Sequence, residues 1–266
     1  MKTLTIGWLY PQLMNVYGDI GNIIVLSKRC EWRGIRINVK HLDVGFKTDE
    51  LDDCDILFMG GAQDRQQKIV ASDLKVKARK LREKIENGTP GLYVCGAYQF
   101  LGKYYKILGE QSSSKNFSSS AYKEADGTKI DGFGIFDLYT ENPGENFKRL
   151  IGNVIIESKF GKLIGFENHG GRTFLGKNIE PFGKVLKGFG NNGEDGFEGA
   201  VYKNSIGSYF HGPILPKNPR LADHLIKLAL ERKHNSPIKL SPIENSLEEK
   251  ARKAIAKRMN VRYNGS

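Results

Sequence analysis

The chain has 266 residues, 39% of them hydrophobic and 27% charged, with 41 Lys and Arg against 30 Asp and Glu for a formal net charge of +11. At about 150 residues per domain this supports one full-sized core or two small ones, and the balance excludes disorder as the dominant state. No apolar run approaches the roughly 20 residues that span a bilayer, and Pro11, Asn15 and Asp19 interrupt the opening segment before a signal-like stretch develops, so a cytoplasmic protein is expected.

Residues 4–9 (LTIGWL) form a short apolar run suited to a buried strand, and Asp19 stands where it would cap a helix carrying Ile23, Ile24, Leu26 and Cys30 at helical spacing. Residues 35–42 alternate like a second strand, and residues 56–59 (ILFM) make a compact third that ends at Gly60-Gly61. Residues 68–87 read as one basic helix stopped by Gly88, and residues 92–94 begin a further strand. The order βαββαβ predicts an α/β fold with a mostly parallel sheet. After Cys95 a helix is expected through Tyr98, Phe100, Leu101 and Tyr104. Residues 111–120 (QSSSKNFSSS) are too polar to bury and mark a Ser-rich surface insertion at about 108–124.

From Gly132 to Phe210 the chain becomes Gly-rich, with short strand-like runs at 153–157, 163–166 and 208–210. An amphipathic helix follows at 219–232. A linker with Ser236, Pro237, Ser241 and Pro242 leads to a charged helix at 246–258. This divides the chain into one domain at 1–235 and a basic tail at 236–266. Between Lys233 and Ser266 there are eight basic and three acidic residues, almost half of the whole charge excess. Such a tail is either a solvated extension or a surface drawn to anionic membrane.

The chemistry concentrates in three places. In residues 90–102 (PGLYVCGAYQFLG) an apolar strand delivers Cys95 into a tight Cys-Gly turn that opens a helix, the pattern of a nucleophile elbow. Residues 59–64 (MGGAQD) end the preceding strand, where the backbone at Gly60, Gly61 or Ala62, with Gly96, can offer N–H donors to an oxyanion. Residues 207–215 (GSYFHGPIL) present His211, and a thiolate nucleophile needs a base of that kind. Of the five histidines, His169 in GFENHGGR competes with it and reads as part of a binding loop. The odd trio Cys30, Cys54 and Cys95 shares no CxxC spacing, which argues against a disulfide framework and against a metal site.

Together, Cys95-Gly96-Ala97-Tyr98-Gln99, Gly60-Gly61 and Tyr209-Phe210-His211-Gly212 resemble a class I glutamine amidotransferase domain, which has a flavodoxin-like sheet flanked by helices. Within that class the chain resembles the cobyric-acid-synthase-like branch. Residues 13–23, 165–176, 188–195 and 207–218 are similar to the GatD-type glutaminase subunits of lipid II isoglutaminyl synthases.

The resemblance implies that Cys95 attacks the side-chain amide of L-glutamine and that His211 shuttles the protons. It implies that Gly60, Gly61 and Gly96 hold the oxyanion and that Gln99 and Arg149 bind the substrate. It also implies a heterodimer with a Mur-ligase-like subunit (MurT), which would carry the ATP and Mg and amidate the D-Glu of lipid II, while this chain holds no cofactor, spans no membrane and binds no nucleic acid. The alternative implied is a cobyric-acid-synthase-like amidotransferase feeding ammonia to another ligase. Ala62 and Ala97 stand where the family usually has glycine. Pro213 stands where many class I enzymes place a Glu two residues after the His, so the group that orients His211 is left unassigned: a carboxylate from elsewhere in the chain, one from a partner, or none.

Overall fold

The computed structural model describes residues 1–107, 129–144 and 147–263. The expected Ser-rich insertion lies outside the described residues. The first half of the chain alternates strands and helices: β1 (Thr3–Leu9), α1 (Ile20–Glu31), β2 (Arg36–Leu42), β3 (Ile56–Met59), α2 (Asp64–Lys75), α3 (Ala78–Glu86), β4 (Gly91–Val94) and α4 (Gly96–Leu101). A run of strands follows: β5 (Tyr104–Ile107), β6 (Lys129–Asp131), β7 (Leu138–Asn142), β8 (Leu150–Ser158), β9 (Gly161–His169), β10 (Arg172–Leu175) and β11 (Gly183–Lys187). The chain closes with β12 (Phe197–Glu198), β13 (Ala200–Tyr202), β14 (Ser205–Ser208), β15 (Phe210–His211), α5 (Ile214–Lys217), α6 (Pro219–His234) and α7 (Ser246–Arg258).

The main sheet has the order β13-β14-β4-β3-β1-β2, and only the β13–β14 pair is antiparallel. Its central strands β3 and β4 are buried along their whole length, which is why both read as unbroken apolar runs. Helix α1 buries Ile23, Leu26 and Cys30, and α6 buries Leu221, Leu225 and Leu230. Each fully buried aliphatic side chain of this kind contributes about 1.5–3 kcal/mol. A four-stranded sheet (β10-β7-β5-β6) and a five-stranded one (β12-β11-β8-β9-β15) are built from strands that follow α4.

Two sequence expectations are corrected. The basic segment forms two helices, α2 and α3, because the chain turns at Val76 and Lys77, whose ammonium folds inward onto Asp73 at 2.5 Å and over the Phe46 ring. Helix α4 stops at Leu101 because Gly102 adopts an extended backbone, so Tyr104 begins a strand.

The topology sets the site. The carboxyl ends of the adjacent parallel strands β14, β4, β3 and β1 lie at one edge of the sheet, the place where open α/β sheets bind ligands. From these ends the chain runs to His211, Cys95, Gly60-Gly61 and Asp19 respectively.

Candidate active site

Cys95 joins β4 to α4 with φ 53° and ψ −107°, a backbone state that costs a non-glycine residue about 1–3 kcal/mol. The surroundings hold it there: its N–H donates to the Ser208 carbonyl at 2.9 Å, and its carbonyl accepts from Gln99 N at 3.0 Å. The thiol reaches a cavity of about 550 Å³ that is also lined by Val16, Tyr17, Ala62, Gln67, Gln99 and Arg149. The other two cysteines are buried elsewhere, and burial pushes their thiols up, Cys30 to about 12 and Cys54 to about 11. Neither has the thiolate character of a nucleophile.

His211 is fully buried, and its Nδ1 lies 3.4 Å from Asp19 Oδ1. The exposed Tyr17 ring meets the imidazole edge-on at 4.9 Å. Burial alone pushes the imidazole down, but the Cys95 sulfur and the Asp19 carboxylate outweigh it and raise His211 to about 10.

Asp19 is the residue that sequence reasoning misassigned. It sits at the start of α1, but its side chain makes no capping bond, and Asn15 Oδ1 accepts from Ile20 N instead. The Asp19 carboxylate turns into the core, where Oδ2 accepts the Gly61 N–H at 2.8 Å. The two bare positions of β3's turn follow from this packing. A β-carbon at Gly60 would meet the Asp19 carboxylate, and one at Gly61 would lie 2.9 Å from His211 Cε1 and 3.2 Å from Cys95 Cβ. Gly21 and Pro213 complete the clasp, since the proline ring lies where a β-carbon on Gly21 would go. Asp19 and His211, each two residues before its half of that contact, are thereby held together.

With the Gly61 N–H engaged by Asp19, the turn's next amide is that of Ala62. The Ala62 and Gly96 N–H groups have no acceptor among the described residues, and Ala62 N lies 3.5 Å from where a Gly96 β-carbon would stand. Buried Gln67 lies against Gly96 and donates to the Ala62 carbonyl at 3.1 Å. Ala97 is fully buried in the core.

The far wall of the cavity is polar. Arg149 donates from Nε to Asn168 Oδ1 at 3.0 Å and from Nη2 to the Asn168 carbonyl at 2.9 Å, which leaves Nη1 without a partner among the described residues. Gln99 donates to the Tyr209 hydroxyl at 3.1 Å, and its buried Oε1 has no partner among the described residues. His169 also lines the cavity, but its Nδ1 donates to the Gly171 carbonyl at 2.7 Å and its ring stacks on Tyr209 at 3.6 Å. Burial holds its pKa below the ordinary histidine value. Behind His211, buried Glu198 accepts from Ser208 Oγ at 2.6 Å and Tyr209 N at 2.9 Å, which braces the strand; burial raises its carboxyl to about 7.

The structure thus brings Cys95, Gln99 and Arg149 to one cavity, adds Gln67 and Asn168 to its lining, and packs His211, Asp19 and the Gly60-Gly61 and Gly96 backbone beside Cys95. The arrangement holds a strained cysteine, an imidazole with a raised pKa, a carboxylate behind it, two amides without an acceptor among the described residues and a guanidinium across the cavity. Such a set can perform acyl transfer from an amide or ester that carries a carboxylate.

Residues 5–219 match the CobB/CobQ-like glutamine amidotransferase domain. The chain is 42% identical over 263 residues to the lipid II isoglutaminyl synthase (glutamine-hydrolyzing) subunit GatD of Staphylococcus aureus strain N315, covering 98% of each chain. It is 40% identical over 250 residues to the GatD subunit of Streptococcus pneumoniae, covering 92% of this chain and 88% of that one. In fold it is similar to a glutamine amidotransferase known from a crystal structure, with a TM-score of 0.54 and 18% identity over 84% of this chain and 98% of that one.

Proposed function

The chain belongs to the CobB/CobQ-like glutamine amidotransferase family and, within it, groups with the GatD subunits of lipid II isoglutaminyl synthase; on that basis we propose that it is the glutaminase half of such a synthase. The observation that carries the chemistry is the strained Cys95 beside a protonated His211 backed by Asp19.

The Cys95 thiolate adds to the side-chain amide carbon of L-glutamine. Negative charge gathers on the amide oxygen, where the Ala62 and Gly96 N–H groups receive it; Gly60 and Gly61 contribute by letting Asp19 and His211 pack against the turn. His211 gives its proton to the departing nitrogen, the C–N bond breaks, and ammonia leaves a γ-glutamyl thioester on Cys95. A water molecule, deprotonated by the now neutral His211, hydrolyses the thioester to glutamate and restores the thiolate–imidazolium pair. Asp19 keeps Nδ1 protonated and aims Nε2 at the reacting atoms throughout, as a triad carboxylate does. Arg149 Nη1 takes the α-carboxylate of glutamine in a charge-assisted hydrogen bond, and Gln99 Oε1 takes a donor from the substrate.

Ammonia then serves a Mur-ligase-like partner (MurT), which binds ATP and Mg and amidates the α-carboxyl of D-Glu in the lipid II stem peptide. This chain itself needs no cofactor for the glutaminase step. The setting is the cytoplasm, at the membrane face where a lipid-linked substrate lies.

The test is release of glutamate from glutamine by the chain together with its ligase partner, followed in a coupled assay. Cys95→Ser is expected to abolish release while the far-UV spectrum and melting temperature stay near those of the parent. Retained glutamate release in that variant removes Cys95 from the mechanism.

A further inference from the structure

Helix α7 contributes nothing to the catalytic cavity, yet it is firmly held. Ala256 packs on Ile155 and Ile164 of β8 and β9, with Ile255, Met259, Val261 and Tyr263 around them, as a small apolar cluster apart from the main core. Arg252 is 1% exposed: its guanidinium donates to the Lys162 carbonyl and to Glu249 Oε1 at 2.8 Å, and lies 5.0 Å from the Tyr263 ring centre. A solvated extension does not bury an arginine to fix its orientation.

That orientation sorts the charges of the helix. Glu248 and Glu249 are half-buried, and Glu249 is engaged by Arg252 and by the Tyr263 hydroxyl at 2.9 Å. Glu249 stands four residues before Lys253, the spacing at which a helix ordinarily pairs acid with base. Because Glu249 turns inward, Lys253 has no ion pair among the described residues, and neither do Lys250, Lys257 and Arg258. All four are exposed, on the face that also carries Leu247, 75% exposed. At 1.5 Å per residue the four charges fall within about 12 Å. That is close to the ~8 Å screening length of physiological salt, so they act as one patch.

We infer that the outward face of α7 is a docking surface for anionic phospholipid membrane, with Lys250, Lys253, Lys257 and Arg258 against the headgroups and Leu247 entering the interface. Charge complementarity selects this occupant: the exposed charges of the face are all cationic and Leu247 stands among them, which suits a diffuse anionic surface. Docking keeps the enzyme where a lipid-linked substrate is found; that purpose rests on the function proposed above, whereas the docking itself does not.

The full chain is mixed with phosphatidylcholine vesicles, with and without phosphatidylglycerol, and sedimented, in parallel with Lys250→Glu/Lys253→Glu/Lys257→Glu. All three sites are exposed and none belongs to the catalytic cavity, so glutamine hydrolysis with the ligase partner is expected to be unchanged in the variant. The parent is expected to bind only the anionic vesicles and to release in high salt. At about fivefold per basic residue, loss of the three lysines alone weakens binding roughly a hundredfold, and the added carboxylates weaken it further. Equal binding to both vesicle types, or undiminished binding by the variant, overturns the inference, as does capture of the parent by duplex DNA or an acidic polypeptide through these lysines with no vesicle binding. Vesicle binding without any glutamine hydrolysis leaves the docking surface standing and overturns the proposed function instead.

Discussion

Two buried histidines, each followed by a glycine, lie near one cavity, His169 in its wall and His211 beside Cys95, and their pKa values are shifted in opposite directions. His211 is raised to about 10, whereas His169 is held below the ordinary value. Both are almost wholly buried, and each has a carboxylate near its ring, Asp19 at 3.4 Å and Glu167 at 3.9 Å. The difference lies in what else those carboxylates do. Glu167 already accepts from Phe189 N at 2.7 Å and Gly190 N at 2.8 Å, and the Arg172 cation opposes a second positive charge beside it. Asp19 keeps one oxygen for His211, and the Cys95 sulfur beside the ring further favours its charged form. Burial lowers the pKa of a histidine unless neighbours that favour its charged form overcome it, and only one of the two sites supplies enough of them.

The sharpest way to break this comparison is Asp19→Asn, which still offers an oxygen to Gly61 N–H but removes the charge behind His211. Glutamine turnover is expected to fall roughly 10²- to 10⁴-fold, in the range seen when the orienting carboxylate of a catalytic triad is lost. The His211 pKa, read by NMR titration, is expected to fall with it. An unchanged titration would show that Cys95 alone sets the charge of the ring.

A smaller effect separates the two histidines by stability. His211 is raised from about 6.5 to about 10, so its contribution is full below pH 6.5 and is lost as pH rises through 10. His169 is lowered, so its environment favours folding above the unfolded value and loses that benefit as pH falls below it. Urea unfolding across this range is expected to give a slope at each end, with the alkaline one flattened in Asp19→Asn. Identical alkaline slopes in parent and variant would contradict the assignment.

Least of all should change in His169→Phe. Stacking on Tyr209 is kept and the hydrogen bond to Gly171 is lost, at a cost of about 1 kcal/mol in stability with the pH profile of turnover unmoved. A shifted profile would make His169 part of the proton chemistry and end the distinction.

Much of the frame was legible in local pattern. The βαββαβ order, the strand–turn–helix at Cys95 and the helix at Ser246–Arg258 all follow from periodicity, caps and turn residues over a few neighbouring positions. The division of the basic segment into α2 and α3 and the early end of α4 did not follow, because both depend on side chains and backbone that meet the rest of the fold.

What the sequence set out by itself is therefore the class of the sheet and the local settings of Cys95 and His211, since each is written in contiguous residues. What only the tertiary structure decided is how charges are faced. Asp19 reads as a helix cap from its neighbours, and only the approach of a strand 192 residues away turns its carboxylate to His211 and its other oxygen to Gly61. Likewise the tail's net charge is visible in composition, but the burial of Arg252 and the inward turn of Glu249 decide which charges reach the surface. Periodicity states which residues share a face; the direction of an individual carboxylate depends on donors that arrive from elsewhere in the chain.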